Sequence, residues 1–132
     1  MRFKDQDDNL ICILHRADDW KKELDFVTQD DDFIQLGTWW YDKGKKLDRH
    51  YHNVFKRSAN KTAECVHIIQ GSMRVDLYDC NQAFTESFIM FCGDSAVFLN
   101  GGHGYEILED QTKVLETKNG PFLGVDKDKT RF

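Results

Sequence analysis

The sequence predicts an all-β domain, and three features carry that prediction. Short runs rich in β-branched and aromatic residues recur at 10–14, 33–41, 64–70, 73–78, 87–91, 96–99, 104–108 and 113–117. Turn chemistry separates them: Asp42-Lys43-Gly44, Gln70-Gly71-Ser72, Asp79-Cys80-Asn81, Cys92-Gly93-Asp94, Asn100-Gly101-Gly102 and Asn119-Gly120-Pro121 use residues that tolerate positive φ or bond back to the backbone. Only residues 18–24 read as helical, with Asp18 or Asp19 capping Trp20-Lys21-Lys22-Glu23-Leu24. The spacing predicts an antiparallel sandwich or barrel with one short N-terminal helix.

Nothing divides the chain. No repeat or low-complexity linker interrupts it, and its single proline, Pro121, lies near the end, so residues 1–132 read as one domain. A chain of that length buries roughly two-thirds of the surface its unfolded form exposes and needs no crosslinks. Cys12, Cys65, Cys80 and Cys92 form no CxxC pair, which fits reduced thiols in a cytoplasmic protein. A net charge of −5 argues against a nucleic-acid partner, which would require a basic face. No apolar run approaches the ~20 residues of a membrane span, so neither export nor membrane insertion is expected.

Along the strands, parity sorts the side chains. Trp39 and Trp40 fall on opposite faces of the 33–41 strand, one directed into the barrel and one outward; sugar stacking and core packing are both open to them. An extended stretch at 50–52 turns His50 and His52 to the same side and Tyr51 to the other. Glu64 shares a face with Val66 and Ile68, while Cys65 and His67 take the opposite face. His103 shares a face with Tyr105 and Ile107, and Glu116 with Lys118.

A dispersed set emerges: Gly44-x5-His50-x-His52, Glu64-x6-Gly71, Gly93-Asp94 and His103. Three neutral imidazoles and one carboxylate suit one divalent transition metal, Zn, Fe(II), Ni or Mn, and leave positions open for water or substrate. His50, His52, Glu64 and His103 are therefore the expected metal ligands. Tyr105 is the expected catalytic neighbour. The spacer 53–63 carries Lys56, Arg57 and Lys61, and two readings of it stand side by side: a lid whose Arg57 meets a carboxylate or phosphate, or a solvated loop. Arg57 and Trp39 are the substrate-binding candidates.

These residues resemble the cupin superfamily, whose first motif is matched by Gly44, His50, His52, Glu64 and Gly71, with a spacer longer than usual. The second motif keeps Gly93 and His103 but lacks its proline. The resemblance covers about residues 33–118 and implies a double-stranded β-helix, a jelly-roll barrel holding the metal at one end. Gly37-Thr38-Trp39-Trp40-Tyr41 and Lys118-Asn119-Gly120-Pro121 look like small bacterial cupins associated with surface-polysaccharide or sugar-nucleotide metabolism. A homodimer paired through outer strands is implied as well.

Two functions follow as expectations. One is a metal-dependent enzyme acting on a small anionic or sugar-derived molecule by isomerisation, epimerisation or elimination, with Fe(II) dioxygenase chemistry as an offshoot. The other is a non-catalytic small-molecule-binding or sensing module. A metal-free barrel used for assembly would require the three imidazoles and Glu64 to coincide by chance.

Overall fold

Strands form where β-branched and aromatic residues concentrate. The computed structural model describes all of residues 1–132. Its elements in order are β1 (Arg2–Lys4), β2 (Leu10–His15), β3 (Glu23–Phe26), β4 (Gly37–Trp40), β5 (Glu64–Gln70), β6 (Ser72–Tyr78), β7 (Phe84–Phe91), β8 (Ser95–Phe98), β9 (Gly102–Ile107), β10 (Lys113–Lys118) and the helix α1 (Val125–Asp128). The strands build an antiparallel five-stranded sheet, β1-β2-β8-β5-β10, a three-stranded sheet, β7-β6-β9, and the ribbon β3-β4. The all-β class and its antiparallel pairing agree with the sequence. No helix is long and apolar enough to cross a membrane.

The alternation of side chains explains how the large sheet is buried on both faces. Cys12, Leu14, Val66, Ile68, Ala96 and Phe98 on one face join Met73, Val75, Leu77, Phe88 and Met90 of the small sheet in the main core. On the opposite face Ile13, Cys65, Val97 and Leu99 form a second cluster, covered by Leu10, Val27, Ile34 and Leu36. Fully burying each Ile, Leu or Met of these clusters contributes about 1.5–3 kcal/mol. Among the largest fully buried side chains, Ile11 and Leu14 sit on β2, Ile68 on β5, Leu77 on β6 and Met90 on β7, and so hold the two sheets together.

Gly101 permits the turn between β8 and β9. Its φ is +63°, and a Cβ there would collide with the Tyr78 carbonyl. Asp94 fixes the turn before β8. It is 3% exposed, pairs with Arg16 at 2.6 Å and accepts the backbone N–H groups of Ala17 at 2.9 Å and Phe91 at 3.0 Å. Asp94 thus ties the end of β2 to the β7–β8 turn.

Three expectations are corrected by the structure. Residues 18–24 form no helix: Ala17 and Asp18 make a turn, and Glu23 begins β3 at φ +70°. Helical preference over fewer than two turns is weak against the cost of nucleation, so tertiary pairing decides. The carboxylate of Asp19 instead accepts the Arg16 backbone N–H at 2.8 Å, and Leu24 pairs with Trp39 across the ribbon. The helix that exists, α1, lies at the other end of the chain.

The 33–41 strand shortens to Gly37–Trp40, because Ile34 and Leu36 leave the ladder to cover the second cluster. Trp39 and Trp40 are 55% and 47% exposed, so neither enters the core. Residues 50–52 are not a strand; residues 45–59 contain neither helix nor strand and are exposed throughout. Their neighbours in sequence, Asn53 to Ala63, offer no alternating apolar face that a sheet could bury.

Candidate functional site

The two sheets approach each other at the start of β5. There Glu64 is in register with Phe98 on β8 and Lys118 on β10, while His103 and Tyr105 on β9 face Leu77 and Val75 of β6. Glu64 is 4% exposed and reaches from the large sheet to the small one. Its Oε1 accepts the Tyr105 hydroxyl at 2.8 Å and lies 2.8 Å from His103 Nε2. An ionised carboxylate has no proton to give, so Nε2 donates. The Phe98 ring packs on His103 at 4.4 Å and edge-on to Tyr105 at 5.8 Å, which holds both rings in place.

The electrostatics of the cluster favour a fixed charge pattern. Burial by itself raises the Glu64 carboxyl, but the hydrogen bond and charge of His103 and the hydroxyl of Tyr105 outweigh it and hold the group down at about 2. Tyr105 moves far upward, through burial first and then the adjacent Glu64 charge. Glu64 is therefore a weak base and Tyr105 remains a proton donor. The Nδ1 atom of His103 is buried and has no partner.

This cluster forms one wall of a cavity of about 750 Å³, a size that accommodates a small organic ligand. Thr62, Tyr78, Phe98 and the turn at 99–102 add to the wall, and the segment from Asp128 to Phe132 forms a further part of it. Two contacts anchor that segment. Asp128 is hydrogen-bonded to the Thr62 hydroxyl, and the Phe132 ring meets Tyr78 edge-on at 5.2 Å. Beside the cavity, Lys118 pairs with Glu116 at 2.9 Å.

The structure unites Glu64, His103 and Tyr105, as strand parity predicts. It does not add His50 and His52 to them. Those two rings are near each other, with centroids 5.3 Å apart, on the exposed 45–59 segment. No three of the His, Cys, Asp and Glu side chains come together as a potential metal site. The orphaned Nδ1 of His103 leaves room for a missing partner, but a donor set divided into two pairs does not fit a four-ligand ion in this arrangement.

The substrate candidates also lie apart from the cavity. Arg57 rests its guanidinium 3.7 Å over the Phe55 ring, and Trp39 stands on the exposed face of the β3-β4 ribbon opposite Leu24. Neither lines the cavity. The basic residues that do line it are Lys61, Lys129 and Arg131. Lys61 belongs to the spacer that the sequence singles out. Lys129 and Arg131 went unnoticed because local sequence carries no sign that residues 128–132 fold back over β6 and β9.

Searches against protein-family models, curated proteins and solved structures each returned no match.

Proposed function

We propose that this chain binds a small molecule, anionic or sugar-derived, in the cavity walled by Glu64, His103 and Tyr105, within a jelly-roll barrel of cupin type. One observation carries the reading: the buried Glu64 carboxylate holds both His103 and Tyr105, and all three side chains line a cavity of about 750 Å³. Groups so paired are preorganised to recognise a ligand, and neither Glu64 nor Tyr105 is a ready base at neutral pH. A fluorescence or calorimetric screen of uncharged sugars, sugar phosphates and dicarboxylates tests it. Binding that disappears in Phe98→Ala supports the reading, and binding indifferent to that change places the ligand elsewhere.

A second reading is favoured by the meeting of Glu64 and His103, two of the four expected ligands, at 2.8 Å from strands remote in sequence. Here the protein is a metal-dependent isomerase, epimerase or lyase, and His50 and His52 complete the site for Zn, Fe(II), Ni or Mn when the 45–59 segment closes over it. Elemental analysis of untagged protein, before and after reconstitution, tests this reading. One ion per chain, lost in His50→Ala, His52→Ala and Glu64→Gln alike, supports it. An ion retained by both histidine variants, or none bound at all, removes it.

The proposal extends to a cytoplasmic homodimer paired through outward aromatic residues. Phe26, Trp39 and Trp40 are all about half exposed on one ribbon. Sedimentation of wild type and of Trp39→Ser over a hundredfold concentration range tests that contact.

A further inference from the structure

The cavity has a charge balance unlike that of the whole chain. The protein carries 18 basic and 23 acidic residues, yet three of the cavity's five Lys, Arg, Asp and Glu residues are cations: Lys61, Lys129 and Arg131. Its two acids are already engaged. Glu64 is bound by His103 and Tyr105, and Asp128 by the Thr62 hydroxyl. Lys61 spends one of its donors on the Asn100 side chain.

Lys129 and Arg131 are different. Like other exposed cations of the chain neither makes an ion pair, but these two line the cavity. Both cations lie between two anchors of the segment, the Asp128–Thr62 hydrogen bond and the packing of Phe132 on Tyr78. Phe132 is also held close to Gly102, where an added Cβ would approach its ring to 2.9 Å. Lys129 acts on Glu64 only through its field, and neither cation has a direct ionic partner, so an anion entering the cavity they line gains from both charges.

We infer that residues 128–132 form the anion-recognising wall of this cavity, with Lys129 and Arg131 binding a phosphate or carboxylate of the ligand. The inference rests on the reading of the cavity as a small-molecule site and decides between its two ligand classes in favour of the anionic one. Arg131 supplies a planar fork suited to two oxygens of such a group, and Lys129 a point charge. Lys61 is placed to add a third donor. The uncharged remainder of the ligand then packs against Phe98 and Tyr78.

The test is calorimetric titration of metal-free protein, dialysed clear of chelator, with pyrophosphate as the anionic probe and glucose as the uncharged one. Wild type binds pyrophosphate and not glucose. Affinity falls about tenfold or more in Lys129→Ala and again in Arg131→Ala, as expected for charge-assisted hydrogen bonds. Lys43→Ala/Lys46→Ala removes two exposed cations outside the cavity and leaves the affinity within twofold. Melting temperatures confirm that every variant is folded.

Three results overturn the inference: no pyrophosphate binding at millimolar concentration, a Lys129→Ala/Arg131→Ala variant that binds like wild type, or an equal loss in Lys43→Ala/Lys46→Ala. The same titration separates this idea from the metal reading. Loss of the metal reading leaves pyrophosphate binding intact, and loss of pyrophosphate binding leaves ion content unchanged.

Discussion

Replacing Glu64 by Gln keeps the shape of the side chain and removes its charge, so the pH dependence of stability isolates what that charge contributes. In the folded protein the carboxyl is held at about 2, against an ordinary value of 4.5. A folded-state value below the unfolded one means that stability is fully present above about 4.5 and is lost as pH falls toward 2. At 1.36 kcal/mol per pH unit, the window corresponds to about 3 kcal/mol, and the 4% exposure of Glu64 calls for little solvent discount. Urea denaturation of ion-free protein at intervals from pH 7 to pH 2 reads it. Wild type is expected to exceed Glu64→Gln by about 3 kcal/mol at pH 7 and to converge on it at the acid end. Parallel stability curves for the two proteins across that range would show that the Glu64–His103–Tyr105 contacts are not formed in solution.

Other perturbations probe the same frame. Tyr105→Phe removes the 2.8 Å hydrogen bond to Glu64 and keeps the ring; with Tyr105 40% exposed, the low end of the charged hydrogen-bond range applies, about 1.5 kcal/mol, or roughly 5 °C in melting temperature by calorimetry. The acid window of Glu64 should also move upward in that variant, since one of the groups holding its carboxyl down is gone. Gly101→Ala combines a φ of +63° with a clash against the Tyr78 carbonyl and should cost about 2 kcal/mol or more, measured by urea midpoint; a change below about 0.5 kcal/mol contradicts the turn. Thiol labelling at pH 8 should modify Cys80 and Cys92 promptly and spare Cys12 and Cys65 until denaturant is added, because both of the latter are buried and burial pushes the Cys65 thiol up to about 11. Rapid labelling of Cys12 in native protein would contradict the main core.

How much of this was legible in the sequence depended on the range of the interaction. The strand at Glu64–Gln70 matched its predicted bounds because apolar residues and Gly71 mark both of its faces and its end. Parity alone put Glu64 with Val66 and Ile68, and His103 with Tyr105, and both groupings stand. The short strands β1 and β3 had no such signal. Phe3 is held in the core by its pairing with Cys12, and β3 exists only as the partner of β4. Residues 18–24 misled because a cap and a few helix formers describe local preference, whereas the partner strand at Gly37–Trp40 decides the outcome.

The candidate site shows the same division. Its three central side chains belong to strands, where a period of two fixes direction, and they converge. His50 and His52 lie where no ladder fixes direction, and their motif spacing alone does not bring them to Glu64. The cations are the most distant case: nothing near Lys129 in sequence points to Glu64, although its charge helps hold that carboxyl ionised. The cavity wall is thus divided between a part set by β5, β8 and β9 and a part that depends on the fold-back of residues 128–132. Substitutions at Phe98 or His103 should alter binding together with stability, because these side chains pack against each other at 4.4 Å. Substitutions at Arg131 should alter binding alone, because it is exposed and unpaired, whereas those at Lys129 should also move the acid window of Glu64 slightly upward.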